Sequence, residues 1–146
     1  MGRTKLLLLA MAVLALAPGC IIETNDGDVV TDGVFHATWS LSDANGPTTC
    51  QQQAADKVSF LFTARYDGMG YDELFACPAL AGDTVPLPLD DYTYVASILD
   101  CPDATPGCPG GDILGESPPL RDTFATCSAI DYGICFVDLP TIEFAF

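Results

Sequence analysis

The chain has 146 residues, with five Lys and Arg against twenty Asp and Glu, one His, and a formal net charge of −15. That length holds one domain of ordinary size, and so negative a field repels nucleic acid and anionic lipid head groups, which argues against a nucleic-acid-binding class. No Gly-rich phosphate loop, basic patch or C-x-x-C pair occurs, so nucleotide loops, zinc ribbons and thioredoxin-like redox pairs have no motif to rest on.

Arg3 and Lys5 precede Leu6–Ala17, an uncharged run of twelve residues, and small or turn-forming residues follow. This is the layout of a secretory signal peptide. A membrane span is the rival, but the apolar run Leu6–Ile22 covers 17 residues and is broken by Pro18-Gly19, whereas a span needs about 20. Cleavage after Ala17 would leave Pro18 first, which ordinary signal peptidase tolerates badly. Cleavage after Gly19 puts Ala17 and Gly19 in the small-residue positions and makes Cys20 the first residue. The stretch LAPGC, Leu16 to Cys20, resembles the lipobox of bacterial lipoproteins, with Ala17 standing where Leu is usual and Pro18 as a second departure. The resemblance implies that Cys20 is lipidated and ties the chain to a membrane. Two or more acyl chains would hold it stably, since each buried methylene contributes about 0.8 kcal/mol.

Cysteine parity points the same way. The chain has seven cysteines, and setting Cys20 aside leaves an even set, as an oxidising compartment favours. Loss of the leader also removes Arg3 and Lys5. Lys57, Arg65 and Arg121 then stand against all twenty acids, a net charge of −17. The expected organisation is a leader over 1–19, the lipidated Cys20 with an acidic flexible tether over 20–33, and a domain over 34–146.

The tether IIETNDGDVVTDG, Ile21 to Gly33, carries four acids and no base, which suits a solvated linker. Asn25, Asp26, Asp28 and Asp32 are oxygen ligands close together. Counted from Asp26 or Asp28, the bidentate Glu that an EF-hand loop needs at its twelfth position is missing. No metal site is assigned.

From Val34 the dominant period is two. In VFHATWSL, Phe35, Ala37, Trp39 and Leu41 share one face and His36, Thr38 and Ser40 the other, as in a half-buried strand. DANG at 43–46 is a turn signal. VSFLFTARY alternates again, with Val58, Phe60, Phe62, Ala64 and Tyr66 on one side, and DGMG ends it. A short strand is expected over Thr84–Leu89, and YTYVASILD, rich in β-branched and aromatic residues, forms another. Residues 101–119 are dense in Pro and Gly and are expected as a loop, with a short strand at most over Asp112–Gly115. Strands return near Asp122–Cys127 and Ile134–Leu139, and TIEFAF closes the chain with Ile142, Phe144 and Phe146 alternating. The pattern predicts an all-β fold, an antiparallel β-sandwich of about seven short strands, stapled by disulfides.

The order ATWSL, Cys50, KVSFLF, the Cys77 of FACPAL and then LPLDDYTYVASILD resembles secreted Gram-negative lipoproteins with a prealbumin-like or carboxypeptidase-regulatory-like, Ig-like sandwich. The likeness covers residues 34 to 100. Asp90-Asp91 stands where that family prefers small residues or Gly, and the Cys-rich insert after Asp100 departs from it. The resemblance implies a display, adhesion or binding module and carries no catalytic residue over. It also favours a Cys50–Cys77 bridge. Six cysteines allow fifteen pairings; the other two we place are Cys101–Cys108, closing CPDATPGC, and Cys127–Cys135, clamping one turn.

His36 is the only histidine. A hydrolase could use it, but no G-x-S-x-G or other nucleophile motif accompanies it, and its place opposite Trp39 on a strand suits a surface residue. Trp39, Tyr66, Tyr71, Tyr92 and Tyr94 could form a sugar platform or, more simply, core and rim. The expectation is a lipid-anchored, non-catalytic envelope protein without cofactor, facing the periplasm or the cell surface. It would meet the membrane through Cys20 and an envelope protein or glycan through its domain. Ile21 after the anchor resembles lipoproteins sent to the outer membrane. The alternative is a calcium-dependent or carbohydrate-binding module.

Overall fold

The computed structural model of the chain describes residues 22–23, 29–102, 107–125, 127 and 129–146. Its strands are β1 (Ile22–Glu23), β2 (Val29–Val30), β3 (Asp32–Asp43), β4 (Gly46–Pro47), β5 (Lys57–Ala64), β6 (Gly70–Ala76), β7 (Ala81–Asp83), β8 (Leu87–Pro88), β9 (Asp91–Asp100), β10 (Asp112–Glu116), β11 (Leu120–Thr123), β12 (Ala129–Asp131), β13 (Ile134–Asp138) and β14 (Ile142–Ala145), with one 3₁₀ turn at Cys77–Ala79.

β3 is the spine of a seven-stranded sheet. The odd residues Phe35, Ala37, Trp39 and Leu41 are buried, while His36, Thr38 and Ser40 are not, so alternation alone decides which face turns inward. β13 and β14 run parallel to β3 along one edge, Ile134 opposite Asp32 and Ile142 opposite Trp39. That edge uses the even residues: Leu139 N donates to His36 O at 2.9 Å and Phe146 N to Ser42 O at 3.0 Å. β8, β7 and β4 lie along the other edge in antiparallel pairing. There Thr84, 5% exposed, binds Phe35 twice. Its N–H donates to Phe35 O at 3.0 Å, and its hydroxyl accepts from Phe35 N at 3.1 Å.

The five-stranded sheet is antiparallel, in the order β10–β9–β5–β6 with β11 also on β9. β10 and β11 are two halves of one edge, pairing with opposite ends of β9. Ser117 bridges the break: its N–H donates to Ala96 O at 2.8 Å, and its hydroxyl accepts from Ala96 N at 3.0 Å. The backbone groups of Ala96 are thereby satisfied although no residue of either strand stands opposite.

Aromatic side chains join the sheets. Phe35 stacks on Phe62 at 5.2 Å and on Phe124 at 4.1 Å, and meets Tyr92 edge-on at 5.7 Å. Trp39 packs on Phe60 and Phe75, and its indole N–H donates to Cys77 O at 2.9 Å. Two glycines permit this closeness, because a Cβ at Gly33 would run into the Phe124 ring and one at Gly82 into the Phe75 ring. The fold is therefore a β-sandwich with an aromatic core, stapled by Cys50–Cys77, Cys101–Cys108 and Cys127–Cys135.

Several elements differ from the sequence expectation. Packing begins before Val34: Val30 is 1% exposed within the core and β3 starts at Asp32, so the last residues assigned to the tether belong to the sandwich. β6 was not expected, and β11 ends at Thr123 instead of running on to Cys127. The contact of the first long strand with the last two is parallel, where antiparallel pairing throughout was expected.

Tyr92 and Tyr94 lie in the core at 1% exposure. Tyr92 O–H donates to Pro88 O at 2.7 Å, whereas the Tyr94 hydroxyl has no partner among the described residues. Burial first, then the nearby Asp122 charge, pushes Tyr94 from 10.0 up to about 12, and burial pushes Tyr92 higher still. A phenol whose folded pKa is raised contributes stability that is complete below its unfolded pKa and lost as pH rises through the folded value. The domain is expected to lose stability progressively from pH 10 to beyond pH 12, measured as a falling urea midpoint. Tyr94→Phe should flatten part of that slope.

Candidate functional site

The outer face of the five-stranded sheet carries the site. Because Tyr92 and Tyr94 point inward, alternation turns Asp91 and Thr93 of β9 outward. Register then aligns neighbours from β5 and β11 beside them. Thr93 stands between Thr63 and Arg121. Asp91 stands between Thr123 and Arg65, whose N–H donates to Asp91 O at 2.9 Å. These two rows floor and flank a cleft of about 470 Å³. Arg65 and Asp91 pair across it at 3.5 Å, with 77% and 52% of their side chains exposed. Arg121 has no ion pair among the described residues. Asp122, next along β11, also lines the cleft, and its carboxylate caps the backbone, accepting from Thr123 N at 2.8 Å.

The corner below the cleft is tied by Asp90. Its carboxylate accepts from Tyr66 N at 3.0 Å and from Asp91 N at 2.7 Å. The Thr123 hydroxyl accepts from Ala125 N at 3.0 Å, whereas the hydroxyls of Thr63 and Thr93 have no hydrogen bond among the described residues. Lys57, at the far end of β5, shares the outward parity of Thr63 because Val58 is fully buried. Lys57, Arg65 and Arg121 are the only Lys and Arg residues after Cys20. All three stand on this one face.

The residues singled out from sequence fall elsewhere. Cys20, Asn25, Asp26 and Asp28 lie outside the described residues, and Asp32 opens β3, accepting from the Thr31 hydroxyl at 2.8 Å. Among the described residues no three His, Cys, Asp or Glu side chains gather as a metal ion requires. Cys50, Cys77, Cys101, Cys108, Cys127 and Cys135 are all in disulfides. Trp39, Tyr92 and Tyr94 are sealed in the core and Tyr71 is half-buried, so of the five aromatics only Tyr66, 73% exposed, presents a ring to solvent. They do not assemble into a platform.

His36 lies on the outer face of the other sheet, where its Nδ1 meets Asp83 at 2.6 Å with 42% and 61% of the two side chains exposed. Thr38 with Thr141 and Ser42 with Glu143 form similar cross-strand pairs on that sheet. No Ser, Thr or Cys hydrogen-bonds His36 among the described residues, so the His–Asp half of a triad has no nucleophile beside it. So exposed a pair contributes little, and His36→Ala is expected to cost less than about 1 kcal/mol in urea unfolding.

The sequence reading counted Arg65 and Arg121 only as residual charge. The outward parity of Arg65 was visible from Phe60, Phe62 and Ala64 on the other side of its stretch, whereas Arg121 fell outside the strand expected near Asp122–Cys127. The register that sets Thr63 against Thr93 and Thr93 against Arg121 was not visible. No protein-family model matches this chain, and neither a curated protein nor a solved structure matches it. Among the described residues no helix is long and apolar enough to cross a membrane.

Proposed function

We propose that the chain is a bacterial envelope lipoprotein of the prealbumin-like or carboxypeptidase-regulatory-like kind: a non-catalytic binding sandwich held to the outer membrane by lipid on Cys20, facing the periplasm or the cell surface. The observation that carries the anchor is the cysteine account. Six of the seven cysteines are joined to one another in three bridges, which supports an oxidising compartment and leaves Cys20 as the odd residue, at the end of a signal-like leader and inside LAPGC. A binding role is favoured over catalysis because no nucleophile hydrogen-bonds the one histidine among the described residues, and the cleft is walled by arginines, threonines and two aspartates.

The test is the intact mass of protein extracted from its membrane, before and after reduction and alkylation. A chain beginning at Cys20 with acyl groups attached, and taking up six alkyl groups only after reduction, is expected. Cys20→Ser should abolish acylation and move nearly all of the protein from the membrane to the soluble fraction. An unacylated chain, or one that keeps its leader, would overturn the anchor.

A further inference from the structure

We propose that the cleft between Arg65 and Arg121 binds a monoanionic saccharide, a sugar unit bearing one carboxylate, such as a uronic acid alone or within a glycan. This deepens the binding role proposed above and rests on it. The argument starts from charge. Outside its leader the chain carries −17, yet its two arginines flank one cleft, which they share with Asp91, paired with Arg65, and with Asp122, whose carboxylate accepts from Thr123 N. One guanidinium of the cleft, that of Arg121, has no carboxylate partner among the described residues. It matches a monoanion; a dianionic phosphate would face both Asp91 and the surrounding field. Arg65 is already paired with Asp91. Arg121 is the guanidinium left to take a ligand carboxylate, in the two-pronged geometry its planar fork favours.

Size and floor select a sugar. About 470 Å³ falls in the range of small-molecule clefts, and Thr63 and Thr93 offer two uncommitted hydroxyls that can donate to or accept from ring hydroxyls. An extended acidic peptide is disfavoured. Peptides that add to a sheet need an unpaired strand edge, and β5 and β9, which floor the cleft, each have partners on both sides. The floor of the cleft therefore offers side chains with no free backbone, and the unpaired edge of the sheet, β11, lies only at its flank.

The experiment titrates the full-length chain, purified from its membrane, with disaccharides carrying a single galacturonate or glucuronate, with the uncharged galactose and glucose disaccharides, and with a di-glutamate peptide, all by calorimetry. Saturable binding of an acidic disaccharide is expected, weakened about tenfold or more by Arg121→Gln, as for loss of a charge-assisted forked contact, and unchanged by Lys57→Gln. The uncharged disaccharides should bind at least about tenfold more weakly for the same reason. Thermal melts check that each variant is folded, and Thr93→Val is a second variant that keeps strand propensity while removing one floor hydroxyl. Absence of saturable uronide binding, equal binding of the uncharged sugars, preference for the acidic peptide, or indifference to both Arg121→Gln and Thr93→Val would each overturn the proposal. Mass and fractionation on the same preparation keep the two readings apart: an acylated chain that ignores uronides sinks the ligand and leaves the anchor, and the reverse result does the opposite.

Discussion

Phe35→Ala is expected to remove about 3–5 kcal/mol of stability, the usual cost of truncating a fully buried phenylalanine, and to read out as a large drop in urea midpoint. Phe35 is 0% exposed and is the ring on which the two sheets meet. It comes from β3 and touches Phe62 of β5, Tyr92 of β9 and Phe124 just beyond β11. Its removal therefore opens a cavity lined by three aromatic rings from separate segments. Phe62 and Tyr92 are held by their own strands and cannot collapse freely into the space, and each lost aromatic pair adds about 0.5–1.5 kcal/mol beyond area alone. The control is Leu61→Ala on the outer face, 48% exposed, which should stay within about 0.5 kcal/mol. Similar losses at both positions would mean that the aromatic contact does not hold the sandwich together.

Removal of the Cys50–Cys77 bridge by Cys50→Ala with Cys77→Ala should be the most costly of the three disulfide deletions. Its ends are 27 residues apart, against 7 for Cys101–Cys108 and 8 for Cys127–Cys135. On the chain-entropy account the long loop is worth about 3.5 kcal/mol and each short one about 2.5. Position sharpens the contrast. Cys77 and Cys50 are both buried, and Cys77 N–H donates to Asp56 O at 2.9 Å while its carbonyl receives the Trp39 indole. The bridge thus secures the loop after β4 to the end of β6, beside the ring through which β3 meets the opposite sheet. Cys101–Cys108 closes the shortest loop, and its deletion should lower the urea midpoint least. An order with either short bridge first would show that loop entropy is not what sets these values.

Alternation made β3, β5 and β14 legible, because each has one face buried and the side-chain period is two, and β9 was legible from its β-branched and aromatic residues. β6 escaped notice for the converse reason. GYDELFA places Asp72 and Glu73 side by side and leaves most positions half-buried, as suits an edge strand. Only its pairing with β5, Tyr71 opposite Phe62 and Phe75 opposite Val58, makes it a strand. The short β7 is likewise created by the edge of β3, whereas β8 falls inside the short strand expected over Thr84–Leu89. The cleft was hidden at the same level: Thr63, Thr93 and Arg121 are far apart in the chain, and only tertiary register brings them into a row. Trp39, Tyr92 and Tyr94 follow the simpler of their two readings, as core residues, because large rings are the first to be buried when two sheets need a core.

The parallel contact of β3 with β13 and β14 has a kinetic consequence. The earliest long strand of the sandwich finds its partners on one edge only in the last two, roughly a hundred residues later, the kind of distant closure that slows folding. The five-stranded sheet, whose neighbours are mostly adjacent in the chain, can assemble by itself. The seven-stranded sheet cannot be finished until Ile142–Ala145 is available to dock. A ribosome-tethered or C-terminally shortened chain would hold one sheet formed and the other ajar, with the even-numbered backbone groups of β3 open to any strand that reached them first.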